Sequence, residues 1–339
     1  MLPKKDTSYT GYYFSVKKLA YSKTTGGLKG VPVQSIVSYK LRDFYKSESF
    51  KDLFRKHWDR NERKKQKKKR GLIENLALGI YSKIGYRPWI LSKNASKYFR
   101  STIYVGYDIS YDPKHGNSGA GAIVVFDSIG QVIDWFEVDL EIEEGDKIKP
   151  HSYERFLESI ISSARNFMKD FDVVVFHRDG DFKYNELELI ENYMKKEGYK
   201  FIAIEILKAK STPILKEVDG KIKVAETGYW AKIGLQFSRG KPYLTFIVQT
   251  RGSEIPGIYA NALKYRLVRW NFKYDTNELF EDLAAQIVNL CRLDYATKIG
   301  VSKLPITLHF AHKAANIKRN RISLADFERG KVNNVLYMI

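Results

Sequence analysis

Three residues that could together bind metal ions stand far apart in this sequence of 339 residues. Asp108 and Asp179 each end an apolar, strand-like run, and His312 lies in a helical pattern near the end of the chain. A carboxylate at the end of a buried strand is rigidly held, and two neighbouring carboxylates repel each other unless cations neutralise them. Carboxylate oxygens bind Mg²⁺ or Mn²⁺, and the neutral ring nitrogen of a histidine could join them.

Each of these residues also has an ordinary structural explanation. A single aspartate at a strand end is commonly a turn or cap residue, and a single histidine commonly lies on a helix face. A pair of divalent ions about 4 Å apart activates water and stabilises the leaving oxygen in phosphodiester hydrolysis. The spacing alone leaves open whether Asp108, Asp179 and His312 form such a site.

The charge balance favours a polyanionic partner. The chain has 58 Lys and Arg against 39 Asp and Glu, which gives a formal net charge of +19. An excess of this size is typical of proteins that bind nucleic acid, although a generally basic protein has it too. The apolar share of 44% excludes general disorder.

Cysteine content and hydropathy exclude several other classes. A single cysteine, Cys291, provides neither a disulfide framework nor a thiolate metal site. No apolar run approaches the roughly 18 residues that a membrane span needs, and the first residues lack the apolar core of a signal peptide. We therefore expect a cytoplasmic protein without membrane insertion.

A change of pattern near residue 98 predicts two regions, 1–98 and 99–339. The first contains a basic run, Arg55 to Arg70, which is either a solvated helix or loop, or an arm that contacts phosphates. The second alternates strand-like and helical segments, which predicts an α/β fold with a mixed central sheet flanked by helices.

The predicted elements of the second region follow from periodicity and turn residues. Strands are expected at 103–109, 120–127, 131–139, 173–176 and 200–206, with a hairpin turn at 128–130 and further antiparallel strands between 221 and 249. Helices are expected from an N-cap at Ser152 to about residue 170, near 184–196, from a cap at Thr276, and around His312.

Three motifs carry a resemblance to a known family. They are Val105-Gly-Tyr-Asp108-Ile-Ser, Phe176-His-Arg-Asp179-Gly and Leu304-Pro-Ile-Thr-Leu-His-Phe-Ala-His312-Lys-Ala-Ala. In this order they resemble the PIWI domain of Argonaute proteins. The resemblance implies an RNase H-like fold in which Asp108, Asp179 and His312 are three of four metal-site residues, with Mg²⁺ or Mn²⁺ as the cofactor.

The fourth residue of the family's site is a glutamate on a mobile loop between the two aspartates. Glu141, Glu143, Glu144 and Glu154 all lie in that interval. Glu144 is preferred for its distance from Asp108 and because the adjacent glycine would let the loop swing inward. Glu154 is the alternative, since it aligns better with the start of the following helix.

Region 1–98 resembles the second half of the Rossmann-like MID domain of Argonaute proteins, which holds the 5′ end of the guide strand. By this resemblance the guide pocket comprises Tyr13, Lys17, Gln34, Lys83 and the terminal carboxylate of Ile339. A basic position of the eukaryotic members falls on Gly79 here, which is a departure from the family pattern. Arg319 and Arg321 are the expected contacts to the nucleic-acid backbone.

The resemblance implies a protein that binds a short guide and cleaves a complementary DNA or RNA target, with an accessory protein as a further expected partner. The alternative is a catalytically inactive, guide-binding module that recruits an effector. A third reading is an RNase H-like nuclease that needs no guide. The guided nuclease requires a glutamate that completes the metal site, whereas the inactive module does not.

Overall fold

The computed structural model describes eleven segments of the chain: 77–78, 90–91, 101–111, 118–143, 147–182, 185–208, 213–238, 241–252, 261–273, 275–293 and 302–319. The chain divides into two compact units, and nearly all described residues belong to the one formed by Trp89–Asp294 and Gly300–Leu324. The predicted MID-like region falls almost wholly outside the described residues, so its fold stays a prediction.

A nine-stranded mixed sheet forms the centre of the described unit. Its strands are β1 (Thr102–Tyr111), β2 (Ser118–Phe126), β3 (Val132–Glu143), β4 (Lys147–Ile148), β5 (Val173–Asp179), β6 (Lys200–Leu207), β9 (Trp230–Ser238), β10 (Lys241–Arg251) and β11 (Asn261–Trp270). Their order across the sheet is β4-β3-β2-β1-β5-β6-β11-β10-β9. A separate hairpin consists of β7 (Leu215–Val218) and β8 (Lys221–Val224).

Four described helices flank the sheet: α1 (Pro150–Phe167), α2 (Glu186–Glu197), α3 (Thr276–Cys291) and α4 (Ile306–Arg319). Helix α1 packs against β3 and α2, α3 packs against β10, and α4 packs against β1 and β2. The predicted mixed sheet with flanking helices is therefore confirmed.

Strands β1, β5 and β6 run parallel at the centre of the sheet. Thr102 lies opposite Val173 and Tyr107 lies opposite Arg178 in the β1–β5 register. The pairing of β1 with β5 stops at this last pair, so the residues that follow it, Asp108 and Asp179, become neighbours. Asp179 ends β5 as predicted, but β1 continues to Tyr111, so the predicted strand end at Asp108 is wrong: the pairing with β2 extends β1 beyond it. Strand β5 is buried along nearly its whole length, as its uninterrupted apolar run predicts.

The two faces of β1 serve different purposes. Ile103, Val105 and Tyr107 belong to the hydrophobic core beneath α1 and α2. The alternate residues Gly106 and Asp108 point to the other face, where α4 lies. The period of two in a strand thus separates the residues that stabilise the fold from those that face the candidate site.

The predicted turn at 128–130 is confirmed as the connection between β2 and β3. The Asp127 Oδ1 atom accepts hydrogen bonds from the backbone N–H groups of Ile129 at 3.1 Å and Gln131 at 2.6 Å. Gly130 has a φ of 81°, a left-handed conformation that glycine adopts without strain.

Both predicted helix caps are wrong by a short distance in sequence. Helix α1 begins at Pro150 after Lys149, and Ser152 lies inside its first turn, where the hydroxyl donates to the Lys149 carbonyl oxygen at 2.9 Å. Helix α3 is capped by Asp275, whose carboxylate accepts from the N–H groups of Asn277 and Glu278. A proline at the first helical position and a stronger capping carboxylate decide these starts.

Strand β11 was not predicted, although it links the two halves of the sheet by pairing with β6 and β10. Buried Leu263, Tyr265 and Leu267 alternate with Lys264 and Arg266. Basic residues at alternate positions lower the mean hydropathy of the segment, so the strand pattern is easily overlooked. In the part of the chain that the structure describes, no helix is long and apolar enough to cross a membrane.

Candidate metal centre

The two aspartates and the histidine of the sequence prediction meet in space. One ligand atom from each of Asp108, Asp179 and His312 lies within 4.8 Å of the others. Asp108 and Asp179 stand on adjacent parallel strands, and His312 is supplied by α4. The side chains of both aspartates are about one-sixth exposed, at 16% and 17%, and His312 is half exposed at 50%. The cluster is thus open to solvent on the side of the histidine.

Gly106 sets the distance between α4 and the sheet. A Cβ atom at this position would lie only 2.3 Å from the carbonyl oxygen of Thr307, at the start of α4. No side chain fits there, so the helix backbone rests directly on β1. This close approach allows His312 to reach Asp108, where its Nδ1 atom lies 2.9 Å from Oδ2.

A buried histidine fixes the same helix to the neighbouring strand. The Nδ1 atom of His177 on β5 lies 2.9 Å from the hydroxyl oxygen of Thr307. Burial lowers the pKa of His177 to about 3, so the ring is neutral near pH 7. His177 therefore has a positioning role at the start of α4 rather than a place among the metal-binding groups.

Positive charges surround the two carboxylates. Burial raises the pKa of Asp108, but the hydrogen bond with His312 and the charges of Arg178, His312 and Lys208 outweigh it, so the pKa lies below its ordinary value. Directly after the neighbouring strand β6, Lys208 Nζ forms an ion pair with Asp179 Oδ2. Asp108 is thus held in the ionised form that a cation requires.

Arg178 belongs to a buried network beneath the cluster. Its NH1 atom donates to the backbone carbonyl of Asp179 at 3.1 Å and lies 3.9 Å from Asp108 Oδ1. Its Nε atom lies 3.5 Å from Oε2 of Glu186, and both side chains are almost fully buried. Burial lowers the pKa of Arg178, but Glu186 and the other neighbouring groups raise it above its ordinary value, so the guanidinium stays charged.

Two tyrosines extend this network to α1. The Tyr107 hydroxyl donates to Glu186 Oε2 at 2.9 Å, and the Tyr153 hydroxyl donates to the Tyr107 hydroxyl at 3.3 Å. Burial together with the charge of Glu186 raises the pKa of Tyr107 well above its ordinary value, so it remains a hydrogen-bond donor. The network joins α1, α2, β1 and β5 directly below the strand ends.

The candidate glutamates take different positions. Glu144 lies outside the described residues, between Glu143 and Lys147, which pair in the β3–β4 register. Glu141 and Glu143 are in β3. Glu154 is exposed on α1, a helix that packs on the face of β1 opposite to Asp108 and His312. The fourth ligand stays a prediction, and the two faces favour a loop residue over Glu154.

The remaining predicted site residues are mostly beyond the described ranges. Arg319 is the last residue of α4, whereas Arg321 and the predicted guide-pocket residues Tyr13, Lys17, Gln34, Lys83 and Ile339 lie outside the described residues. Sequence reasoning missed Lys208 and Glu186. Lys208 directly follows β6, so the strand-end argument that identified the aspartates could also have identified this lysine.

The donor atoms fit a hard divalent cation. Two carboxylates and one imidazole converge from three elements, each with one ligand atom inside the 4.8 Å cluster. Such ions prefer oxygen ligands and tolerate a neutral imidazole. Asp108 and Asp179 would hold the ion or ions, and His312 would contribute a ring nitrogen in place of its hydrogen bond to Asp108.

Comparisons with known proteins point to one family. Residues 38–323 match the Piwi domain family; the match starts upstream of residue 98, and the predicted boundary there stays a prediction. The chain is 21% identical over 251 residues to an argonaute protein of Pyrococcus furiosus, with 73% of this chain and 29% of that protein covered. It is 23% identical over 287 residues to an argonaute protein of Aquifex aeolicus, with 83% of this chain and 36% of that protein covered. The chain therefore spans about a third of the length of these relatives.

Solved structures with similar folds are also argonautes. Clostridium butyricum Argonaute bound to a guide DNA and a target DNA superposes with a TM-score of 0.65 at 19% identity, covering 94% of this chain and 37% of that one. The Aquifex aeolicus protein with externally bound siRNA gives 0.60 at 19% identity, with 96% and 38% covered. At such identities the likeness establishes the fold, which is RNase H-like.

We predict that Gly106→Ala separates His312 from Asp108. The added methyl group forces α4 away from β1, which costs about 1–3 kcal/mol of stability and weakens Mn²⁺ binding by about tenfold or more. Thermal melting and isothermal titration calorimetry measure the two effects.

Gly198→Ala is the control. Gly198 has a φ of 78° at the opposite end of the sheet, so this variant should lose stability without losing Mn²⁺ affinity. Equal Mn²⁺ affinity in both variants would contradict the prediction.

A second prediction concerns the buried pair of Arg178 and Glu186. Arg178→Met leaves a buried carboxylate without its counter-charge and should lower the free energy of unfolding by about 3–5 kcal/mol. The double variant Arg178→Met/Glu186→Gln should recover most of this loss in urea denaturation. Arg165→Met breaks a half-exposed pair with Glu197 and should cost less than about 1 kcal/mol. A double variant no more stable than Arg178→Met would show that the pair is not coupled.

Proposed function

This chain belongs to the Piwi domain family, and from that premise we propose that it binds a short guide strand and cleaves a complementary nucleic-acid target at Asp108, Asp179 and His312. The observation that carries the proposal is the convergence of these three side chains from two adjacent parallel strands and one helix. The net charge of +19 is suited to a polyanionic partner.

Each residue of the cluster has a distinct part in the proposed reaction. Asp108 and Asp179 supply charged oxygen ligands on a rigid sheet, and His312 closes the cluster from α4. Divalent ions, Mg²⁺ or Mn²⁺, supply Lewis acidity and an activated water when they are bound. Arg178 holds the Asp179 backbone and faces Asp108, so both carboxylates keep their positions as the charge on the site changes.

The printed names of similar structures suggest the partners. The Clostridium butyricum protein is bound to a guide DNA and a target DNA, and the Marinitoga piezophila protein, at a TM-score of 0.56, is in complex with a guide RNA and a target DNA. For this chain we propose a guide and a complementary target of either nucleic acid. Base pairing would then read the sequence, and the protein would contact mainly backbone phosphates.

A catalytically inactive guide-binding module is the second candidate. In the described part of the chain, no glutamate joins the cluster of Asp108, Asp179 and His312. If the predicted glutamates do not reach the cluster either, the site would bind target without cutting it. An accessory protein would then carry the effector activity, as the sequence resemblance also allows.

The decisive measurement uses the full chain, a 5′-phosphorylated guide, a labelled complementary target and Mn²⁺. We expect one guide-dependent cut whose rate falls by about a thousandfold or more in Asp108→Ala, because several kcal/mol of transition-state stabilisation are lost with the ion. Guide-dependent binding without a cut in Mg²⁺ or Mn²⁺ would support the inactive module. A cut that needs no guide would support an unguided nuclease.

A glutamate scan then identifies the fourth ligand. We predict that Glu144→Gln abolishes cleavage and leaves target binding unchanged, because it removes one charged metal ligand, whereas base pairing with the guide holds the target. Glu141→Gln, Glu143→Gln and Glu154→Gln should keep most of the activity. Glu158→Gln is the matched control, since Glu158 is exposed one turn after Glu154 on α1. Full activity of Glu144→Gln would rule out this residue.

A further inference from the structure

A lysine stands at the third parallel strand end of the site. Lys208 directly follows β6, and β6 pairs with β5 so that Ile206 lies opposite Asp179. The Lys208 ammonium group reaches back across this edge and forms an ion pair with Asp179 Oδ2. The lysine therefore contacts the same carboxylate that is expected to bind a divalent ion.

The two positively charged side chains next to the aspartates, Arg178 and Lys208, are held in different ways. The Arg178 side chain is 3% exposed and lies between Glu186, Asp108 and the Asp179 carbonyl. Lys208 is 31% exposed, and Asp179 is its anionic partner among the described residues. A flexible lysine with one partly exposed ion pair can leave at little cost, whereas a buried arginine with several partners cannot.

We propose that Lys208 is an exchangeable cation of the metal centre, which neutralises Asp179 until a divalent ion binds and then pairs with a phosphate of the bound nucleic acid. The proposal rests on the proposed function, because it requires an ion at Asp179. A doubly charged ion bound to the Asp179 carboxylate repels the nearby ammonium group, so the ion displaces the lysine. The released ammonium group remains at the edge of the sheet, where the nucleic-acid strand to be cleaved would lie.

The location of Lys208 explains its presence better than any contribution of its ion pair to folding stability. A partly exposed ion pair contributes no more than about 1 kcal/mol to folding, so the pair adds little to a sheet whose strands are already buried. The lysine ammonium is a compact charge that binds phosphate without demanding a fixed geometry. A charge that first shields a carboxylate and then a phosphate keeps the site close to neutral both before and after the ion binds.

The first test is ion binding to the full chain in the absence of nucleic acid. Titration calorimetry with Mn²⁺ should give about fivefold tighter binding for Lys208→Met than for the unmodified protein, since the ion no longer displaces an ion pair of about 1 kcal/mol. Lys264→Met is the matched control. Lys264 lies opposite Leu207 on β11 and carries the same charge, but it is not paired with Asp179, so its removal should leave the affinity nearly unchanged.

The second test asks where the ammonium group goes. The affinity for a guide paired with its target is measured across salt concentrations, once without divalent ions and once with Ca²⁺, a hard ion with the same oxygen preference. With Ca²⁺, Lys208→Met should reduce the slope of log affinity against log salt by about one, the contribution of one phosphate contact. Without the ion the slope should not change, because Asp179 then holds the lysine.

The outcomes separate the two proposals. Unchanged Mn²⁺ affinity in Lys208→Met, with a melting temperature equal to that of the unmodified protein, overturns the exchangeable role and leaves the metal centre intact. Tighter Mn²⁺ binding in Lys264→Met of the same size also overturns it, because a general charge effect would explain both. Absence of Mn²⁺ binding in every form, including Lys208→Met, overturns the metal centre and the lysine proposal with it.

Discussion

Repulsion between two carboxylates on adjacent strands is the constraint on which the rest of this structure depends. Asp108 and Asp179 directly follow the last matched pair of two adjacent parallel strands, so the fold itself brings like charges together. Arg178 and Lys208 supply positive charge from two directions, and His312 Nδ1 donates a hydrogen bond to the Asp108 carboxylate. A site with this much stored repulsion gains more from a divalent ion than an isolated carboxylate would.

The same constraint explains the architecture beneath the cluster. A charged guanidinium below the strand ends has to be desolvated, and Glu186 with Tyr107 and Tyr153 compensates for this inside the core. On the other face, the absence of a side chain at Gly106 lets α4 rest on β1. One face of the sheet therefore fixes the aspartates, and the other face delivers the histidine. Both depend on the alternation of side chains along β1.

Much of the fold was predictable from local patterns. The apolar run of β5, the turn after Asp127 and the helix that carries His312 follow from composition and periodicity. Strand β11 was missed because its buried residues alternate with basic ones, and its place between β6 and β10 follows from pairing with distant strands. The caps of α1 and α3 were misplaced by at most three residues, because Pro150 sets the start of α1 and the Asp275 carboxylate, rather than Thr276, caps α3.

The sequence by itself determined the kinds of group in the site: two aspartates in strand-like segments, a late histidine, and an excess of positive charge suited to a polyanion. The family motifs linked these residues to one another before any distance was known. Only the tertiary structure decided which strands are adjacent, that Gly106 admits the helix, and that a buried Arg178 lies beside Asp108 while a partly exposed Lys208 pairs with Asp179. The physical reason is that pairing and close packing join residues up to 204 positions apart, a separation over which sequence periodicity carries no information.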